Sequence, residues 1–243
     1  MRKRRLRLRA LVDELARVHP DLDDPAGAIG RGDVLVNGIV RTNPSSLVGP
    51  ADRVSLRRGR RLRGEAKLAA GLAAFAVDVS GRVALDAGAA AGGFTRTLLA
   101  AGARRVYAVD AGHGQLLGSL RADPRVVNLE ATNLGALDST LVPEPVELVT
   151  LDLSYLALTQ AVPQLERVEI PPGAHAIALV KPQFELGLAA PPDEPELLRE
   201  AVRAAARAFT ACGWRVGGTI ESPVRGARGA VEFLLHVRRF SSC

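Results

Sequence analysis

Between Leu85 and Thr95 the chain reads LDAGAAAGGFT, an apolar run that breaks at Gly88 and restarts through Gly92-Gly93. The segment leading in, RVALDAG, is a short apolar run read as a strand, and the segment leading out, GGFTRTLLAAG, is read as a helix. A strand that turns through glycines into a helix leaves free N–H groups at the helix start and lets the backbone come close to a ligand. The spacing Gly88-x-x-x-Gly92-Gly93 is not the G-x-G-x-x-G of dinucleotide sites, and no G-K-[ST] follows to make a phosphate loop. NAD and ATP are therefore disfavoured.

Working outward, the same alternation repeats. EAKLAAGLAAFAV (Glu65 to Val77) is read as a helix, RRVYAVD as a strand, HGQLLGSLRAD as a helix, RVVNLE, ELVTLDL and AHAIALVK as strands, and PELLREAVRAAARAFTACG as a long helix. WRVGGTIES and AVEFLLHVRRF close the chain as a strand pair. Repeated strand–helix units imply an α/β fold with a seven-stranded, mostly parallel sheet covered on both faces and an antiparallel edge. In such sheets ligands bind at the carboxyl ends of the strands. Asp86, Asp110, Asp152 and Lys181 each end a strand and are expected on one rim, with Glu130, Thr132 and Asn133 after the third strand, where an adenine would be held. A glycine loop followed by the terminal acid Asp110, placed to accept hydrogen bonds from ribose hydroxyls, is the arrangement expected for S-adenosylmethionine.

LVKPQFE, Leu179 to Glu185, carries the chemistry. Of 32 Lys plus Arg residues only Lys3, Lys67 and Lys181 are lysine, so a lysine at a strand end stands out against a strong arginine bias. Arginine stays protonated in proteins, whereas a desolvated lysine can serve as a base. The alternatives are a lysine that snorkels from the strand end or binds a phosphate as a point charge.

Composition sets the remaining bounds. Apolar residues make up 47% of the 243-residue chain and aromatics 4%, so the core must be built from Ala, Val and Leu. Two cysteines, Cys212 and Cys243, supply no disulfide framework or metal spacing, and the four histidines share none either, so no metal is expected and a reducing cytoplasm is the default. The basic start MRKRRLRLR is followed by charges before any apolar stretch can form, which argues against a secretory signal or a membrane span. Residues 1–67 hold 16 Lys plus Arg against 8 Asp plus Glu, leaving 16 against 18 for the rest. Basicity confined to one end suits a polyanion-binding appendage, with nucleic acid the expected partner. In that region Arg5 to Val18 is read as a basic amphipathic helix, GDVLVNGIVRT as a hairpin turning at Asn37-Gly38, and ADRVSL as a further strand, with a domain boundary near residue 60.

The ordered set RGEAKL, LDAGAAAGGFT, VYAVDAGHGQL, LEATN, LDLSYLAL, LVKPQFE and SPVRGARGAVEF resembles the TlyA (hemolysin A) group of ribosomal RNA 2′-O-methyltransferases, relatives of the FtsJ-like ribose methyltransferases. The resemblance implies a Rossmann-like class I methyltransferase domain over residues 60–243, using S-adenosylmethionine, behind a small α+β domain over residues 1–59 similar to S4-type RNA-binding domains. It further implies a catalytic tetrad of Lys67, Asp152, Lys181 and Glu232. Asp86, Gly88, Gly92, Gly93, Phe94, Asp110, Glu130, Thr132, Asn133 and again Asp152 then lie on the cofactor side, and ribosomal RNA or a ribosomal subunit is the partner. The chain departs from that pattern at Ala89, Ala90 and Ala91, where hydroxyl residues are common, at Ala230, where asparagine is usual, and in the short segment after Glu185. The helix before the hairpin is expected to be missing, replaced by HPDLDDPAGAIGRG. Lys181 would act as the base on the 2′-hydroxyl, with Lys67 and burial disfavouring its charged form and the two acids opposing them. A small-molecule O-methyltransferase on the same scaffold and a non-catalytic RNA-binding protein with a vestigial methyltransferase fold remain the other readings.

Overall fold

The computed structural model describes residues 8–20, 22, 24–30, 33–56 and 62–240. Lys3, Cys243 and the beginning of the expected N-terminal helix lie outside them. The chain divides into two compact units, Met1–Arg61 and Leu62–Cys243.

In the first unit β1 (Arg9–Ala10) leads into α1 (Leu11–Val18) and α2 (Pro25–Gly30), followed by β2 (Val34–Val36), β3 (Ile39–Arg41), β4 (Leu47–Val48) and β5 (Val54–Leu56). Asn37 and Gly38 both take positive φ, 53° and 81°, as a tight hairpin between β2 and β3 requires. The Asn37 side chain also accepts from the Arg53 N–H and donates to Asp52, fixing the approach to β5. Two expectations are corrected. The helix begins at Leu11, because Arg9 and Ala10 are drawn into antiparallel pairing with β4 and the Leu11 N–H donates to Ser46. A short helix, α2, does precede the hairpin; it buries Ala28 and Ile29 against Leu11, Leu15, Val34, Val36 and Val48 in a small core of its own.

The second unit runs α3 (Arg63–Ala74), β6 (Val83–Ala87), α4 (Gly93–Ala100), β7 (Arg105–Val109), α5 (Gly118–Arg121), β8 (Val126–Leu129), β9 (Leu148–Leu151), α6 (Leu158–Ala161), β10 (His175–Val180), α7 (Pro182–Glu185), α8 (Pro195–Ala211), β11 (Trp214–Glu221) and β12 (Phe233–Arg239). Its seven strands form one sheet in the order β11-β12-β10-β9-β6-β7-β8, parallel from β10 to β8, with β12 antiparallel to both β10 and β11. This is the doubly wound α/β arrangement expected from the alternation of segments. Side chains alternate between two apolar layers. Val83, Leu85 and Ala87 join Phe209 and Trp214 on one face, while Ala84 joins Leu68, Leu98, Ile177 and Leu234 on the other. Burial on both faces is why the strands read as unbroken apolar runs.

One helix is shorter than its sequence suggests. HGQLLGSLRAD yields only the four residues of α5, because the N–H groups of Gln115 and Leu116 donate to the Glu130 carboxylate across the loop instead of entering a helix. The central strand β6 pairs with β7 on one side and β9 on the other. Strand order reverses at that point, so the loops after β6 and β9 flank a crevice at the carboxyl edge, the usual ligand position in open α/β sheets. Among the described residues no helix is long and apolar enough to cross a membrane.

Candidate active site

Lys181 follows β10 directly, and Pro182 at the first position of α7 holds it extended, at φ −113° and ψ 101°. It is only 7% exposed. Its ammonium lies 2.7 Å from Asp152 Oδ1 and donates to the Leu153 carbonyl at 2.8 Å and to Ser154 Oγ at 2.9 Å. An ammonium has three N–H groups and each has an acceptor here. This is the geometry of Lys181 with its proton in place. Ser154 lies inside the LDLSYLAL segment, but nothing in the pattern of residues singles it out.

The β10–β12 register pairs Val180 with Phe233, so Lys181 and Glu232 are the next residues out on neighbouring strands. Glu232 Oε2 sits 2.5 Å from Lys67 Nζ, which α3 brings in from the adjoining layer; the two residues are 3% and 6% exposed. Removing one partner of such a buried pair typically costs about 3–5 kcal/mol, because the other charge is left uncompensated. Lys67, Asp152, Lys181 and Glu232 together line one open cavity of about 320 Å³, with Arg63, Ser154, Gln183 and Gly226 among its other walls. The Oε1 of Gln183 is buried with no hydrogen-bond partner among the described residues.

LVKPQFE contributes a second contact that the sequence does not flag. Glu185 accepts the Leu158 N–H at 2.7 Å, tying α7 to the start of α6 and so to the loop that carries Asp152 and Ser154. Burial of Glu185 pushes its carboxyl up, and the Leu158 and Thr159 N–H donors partly offset the effect.

On the cofactor side, Asp110 follows β7 and accepts the Ala90 N–H at 2.8 Å on one oxygen and the Gly112 N–H at 2.7 Å on the other. Each oxygen keeps a lone pair for a ligand. The three glycines have separate jobs. A Cβ on Gly88, which has φ +87°, would stand 2.5 Å from the Asp152 carbonyl oxygen; one on Gly92 would strike Leu120; one on Gly93 would crowd Gly64 and Glu65. Close approach is thus made first to the protein's own elements, which bring the glycine loop against the Asp152 backbone.

Two residues expected on the cofactor side are otherwise engaged, and one of the four expected on a common rim is not on it. Asp86 lies beneath it, fully buried, with Thr95 Oγ1 and Thr150 Oγ1 donating to its two oxygens at 2.6 and 2.9 Å. Burial pushes its carboxyl up to about 6. Phe94 is packed into the core with Leu68 and Leu98. Glu130 is already engaged: the Asn128 amide, the Leu116 and Gln115 N–H groups and Arg121 hold its carboxyl down to about 2. The Thr132 hydroxyl turns back to the Glu130 carbonyl, whereas Asn133 is exposed.

Known proteins share this architecture. Residues 60–239 match the model of the FtsJ-like methyltransferases. A 16S/23S rRNA (cytidine-2′-O)-methyltransferase, TlyA, from Mycobacterium tuberculosis is 40% identical over 222 residues, covering 88% of this chain and 82% of the relative. Hemolysin A of Brachyspira hyodysenteriae is 30% identical, covering 84% and 88%. Among solved structures, a candidate hemolysin from Streptococcus thermophilus superposes with a TM-score of 0.68 at 29% identity, covering 98% of this chain and 90% of that one. The chain therefore belongs to the FtsJ-like methyltransferase family.

Proposed function

We propose that this protein transfers a methyl group from S-adenosylmethionine to a ribose 2′-hydroxyl of ribosomal RNA. The observation that carries the reading is the single cavity lined by Lys67, Asp152, Lys181 and Glu232, beside the loop from Gly88 to Gly93. The cofactor fits the residues present: Asp110 keeps acceptors free, and Ala89, Ala90 and Ala91 place no bulk over the loop. When bound, it supplies a methyl group on a positively charged sulfur. Lys181 enters the step as the neutral amine, its own proton released to solvent beforehand; it takes the proton from the ribose oxygen as that oxygen takes the methyl group, and Asp152, Leu153 and Ser154 supply the acceptors that hold the resulting ammonium. Lys67 and Glu232, neutralising one another, fix the opposite wall. Alignment of the hydroxyl supplies most of the acceleration.

The relative named as an rRNA cytidine methyltransferase directs the substrate choice to a cytidine in ribosomal RNA, in keeping with the basic residues 1–67 and with a cytoplasmic site of action. We assign RNA capture to the first unit, read as an S4-like domain, and methyl transfer to the second. The test is incubation of isolated 30S and 50S subunits with methyl-labelled S-adenosylmethionine, followed by mapping of the label. Label on a 2′-oxygen is the expected result. Unlabelled subunits alongside efficient methylation of small hydroxyl compounds would reverse the substrate assignment.

A further inference from the structure

We infer that Arg63 is a positioning residue for the reaction: it staples the loop from Ser222 to Ala230 across the Lys67–Glu232 pair and keeps water from it. The inference rests on the reading of this cavity as the methyl-transfer site.

Arg63 is the first residue of α3, where a cation opposes the helix dipole. Its side chain does not simply turn to solvent. The guanidinium donates to the carbonyl of Arg225 and, at 3.2 Å, to that of Gly226. Both bonds come from one terminal nitrogen, Nη2, at the tip of a side chain that reaches further than lysine's. Lys67 lies four residues on, on the same helix face. One helix therefore sends one cation to the Glu232 carboxylate and another to the backbone that covers it.

The cover is tight. Gly226 is buried, its N–H donates to the Ala230 carbonyl at 2.7 Å, and a Cβ at Gly226 would stand 2.2 Å from Glu232 Oε1 and 2.6 Å from its Cδ. The φ of Gly226 is −69°, so glycine is required there by the carboxylate and not by backbone conformation. At the other end of the loop the Ser222 N–H donates to the Glu232 carbonyl at 2.8 Å. If the staple opens, Gly226 lifts from the carboxylate and water reaches a pair that is otherwise buried.

Because the chain has three lysines, protein labelled at the lysine side chains gives one NMR signal per residue, and Lys67 is identified by its loss in a Lys67→Met variant. Arg63→Ala and Arg63→Lys remove or weaken the staple from the exposed side, and Gly226→Ala lifts the loop while keeping the Arg63 side chain. In the full-length protein we expect each to shift the Lys67 signal and leave that of Lys181 in place. With ribosomal subunits and saturating cofactor, kcat should fall about tenfold to a hundredfold, the scale of a small misplacement. The KM for S-adenosylmethionine should be unchanged, and the pH profile of kcat should be displaced. Arg63→Lys should recover only part of the loss. A Lys67 signal and a kcat–pH profile unchanged in Arg63→Ala would overturn the inference. A wild-type protein that fails to methylate subunits would instead overturn the assignment of the site, and the Lys67 signal would still report on the staple.

Discussion

At the scale of single residues, Lys181 and Asp86 show how two buried ionisable groups with similar sequence settings diverge. Lys181 is ringed by three acceptors and faces the cavity, and the base role proposed for it requires the amine to exist without its extra proton. Lys181→Arg keeps the positive charge but cannot release a proton at any working pH. It is expected to abolish methyl transfer about as completely as Lys181→Ala, with cofactor affinity little changed in both, measured at saturating cofactor. A near-wild-type rate for Lys181→Arg would leave positioning as the whole mechanism. Asp86 faces inward. Burial raises its carboxyl from 3.8 to about 6, so the folded protein holds this proton more tightly than the unfolded chain. Its stabilising contribution is complete below about pH 4 and is lost as pH rises through about 6. Asp86→Asn removes the charge and leaves the Thr95 and Thr150 hydroxyls with a hydrogen-bonding partner. The variant should therefore melt higher than wild type at pH 8, with the gain shrinking toward pH 4, and should bind S-adenosylmethionine far better than Asp110→Ala. A gain in Tm independent of pH would contradict the burial account.

Elements buried on two faces are legible in the sequence because nothing but their apolar content determines them; β6, β7, β9 and β10 are of this kind. Elements settled by one side chain reaching across a loop are not. The Glu130 carboxylate shortens α5 to one turn, and the pairing of Arg9 and Ala10 with Leu47 and Val48 delays α1, though neither interaction leaves a local periodic trace. The site divides in the same way. Asp152 and Lys181 can be placed from strand ends, whereas Lys67 and Glu232 meet only through the packing of α3 and the β10–β12 register, and are reached through the family resemblance. Arg63 and Ser154 have no signal at all. The glycines lie at the strand-to-helix turn read from the sequence, but Gly88 is needed there where the loop meets the Asp152 backbone. Gly88→Ala should cost on the order of 1–3 kcal/mol for its positive φ and should also push Asp152 from place. Gly92→Ala, with φ +94°, meets the side-chain tips of Leu116 and Leu120, which can repack. Thermal melts should show both variants destabilised, but methyl transfer at equal folded fraction should fall much further in Gly88→Ala. Equal activity losses would show that the approach to Asp152 has no catalytic consequence.

For the whole molecule, charge and packing divide at the same place. Among the described residues the buried core of the first unit draws on residues between Leu11 and Val48, and the two apolar layers of the second on residues between Leu68 and Val237. The excess of basic residues lies in 1–67, while the remainder is slightly acidic. A second unit holding its own sheet, glycine loop and the cavity proposed for methyl transfer should fold and bind cofactor when residues 1–61 are removed. Its affinity for RNA should not survive in the same way. Arginines that neutralise phosphates release counterions, so every phosphate left without its arginine flattens the dependence of log K on log salt by about 0.9 for a duplex and about 0.7 for a single strand. Residues 62–243 are therefore expected to retain the Tm gain on adding S-adenosylmethionine while binding ribosomal RNA more weakly and with a shallower salt slope. Methylation of subunits should fall mainly through KM for the subunit, since the cavity residues are untouched. Salt titrations of the full chain and of residues 62–243 against the same RNA measure this directly. Identical slopes would move the RNA-binding surface from the basic first unit to the rim of the catalytic cavity.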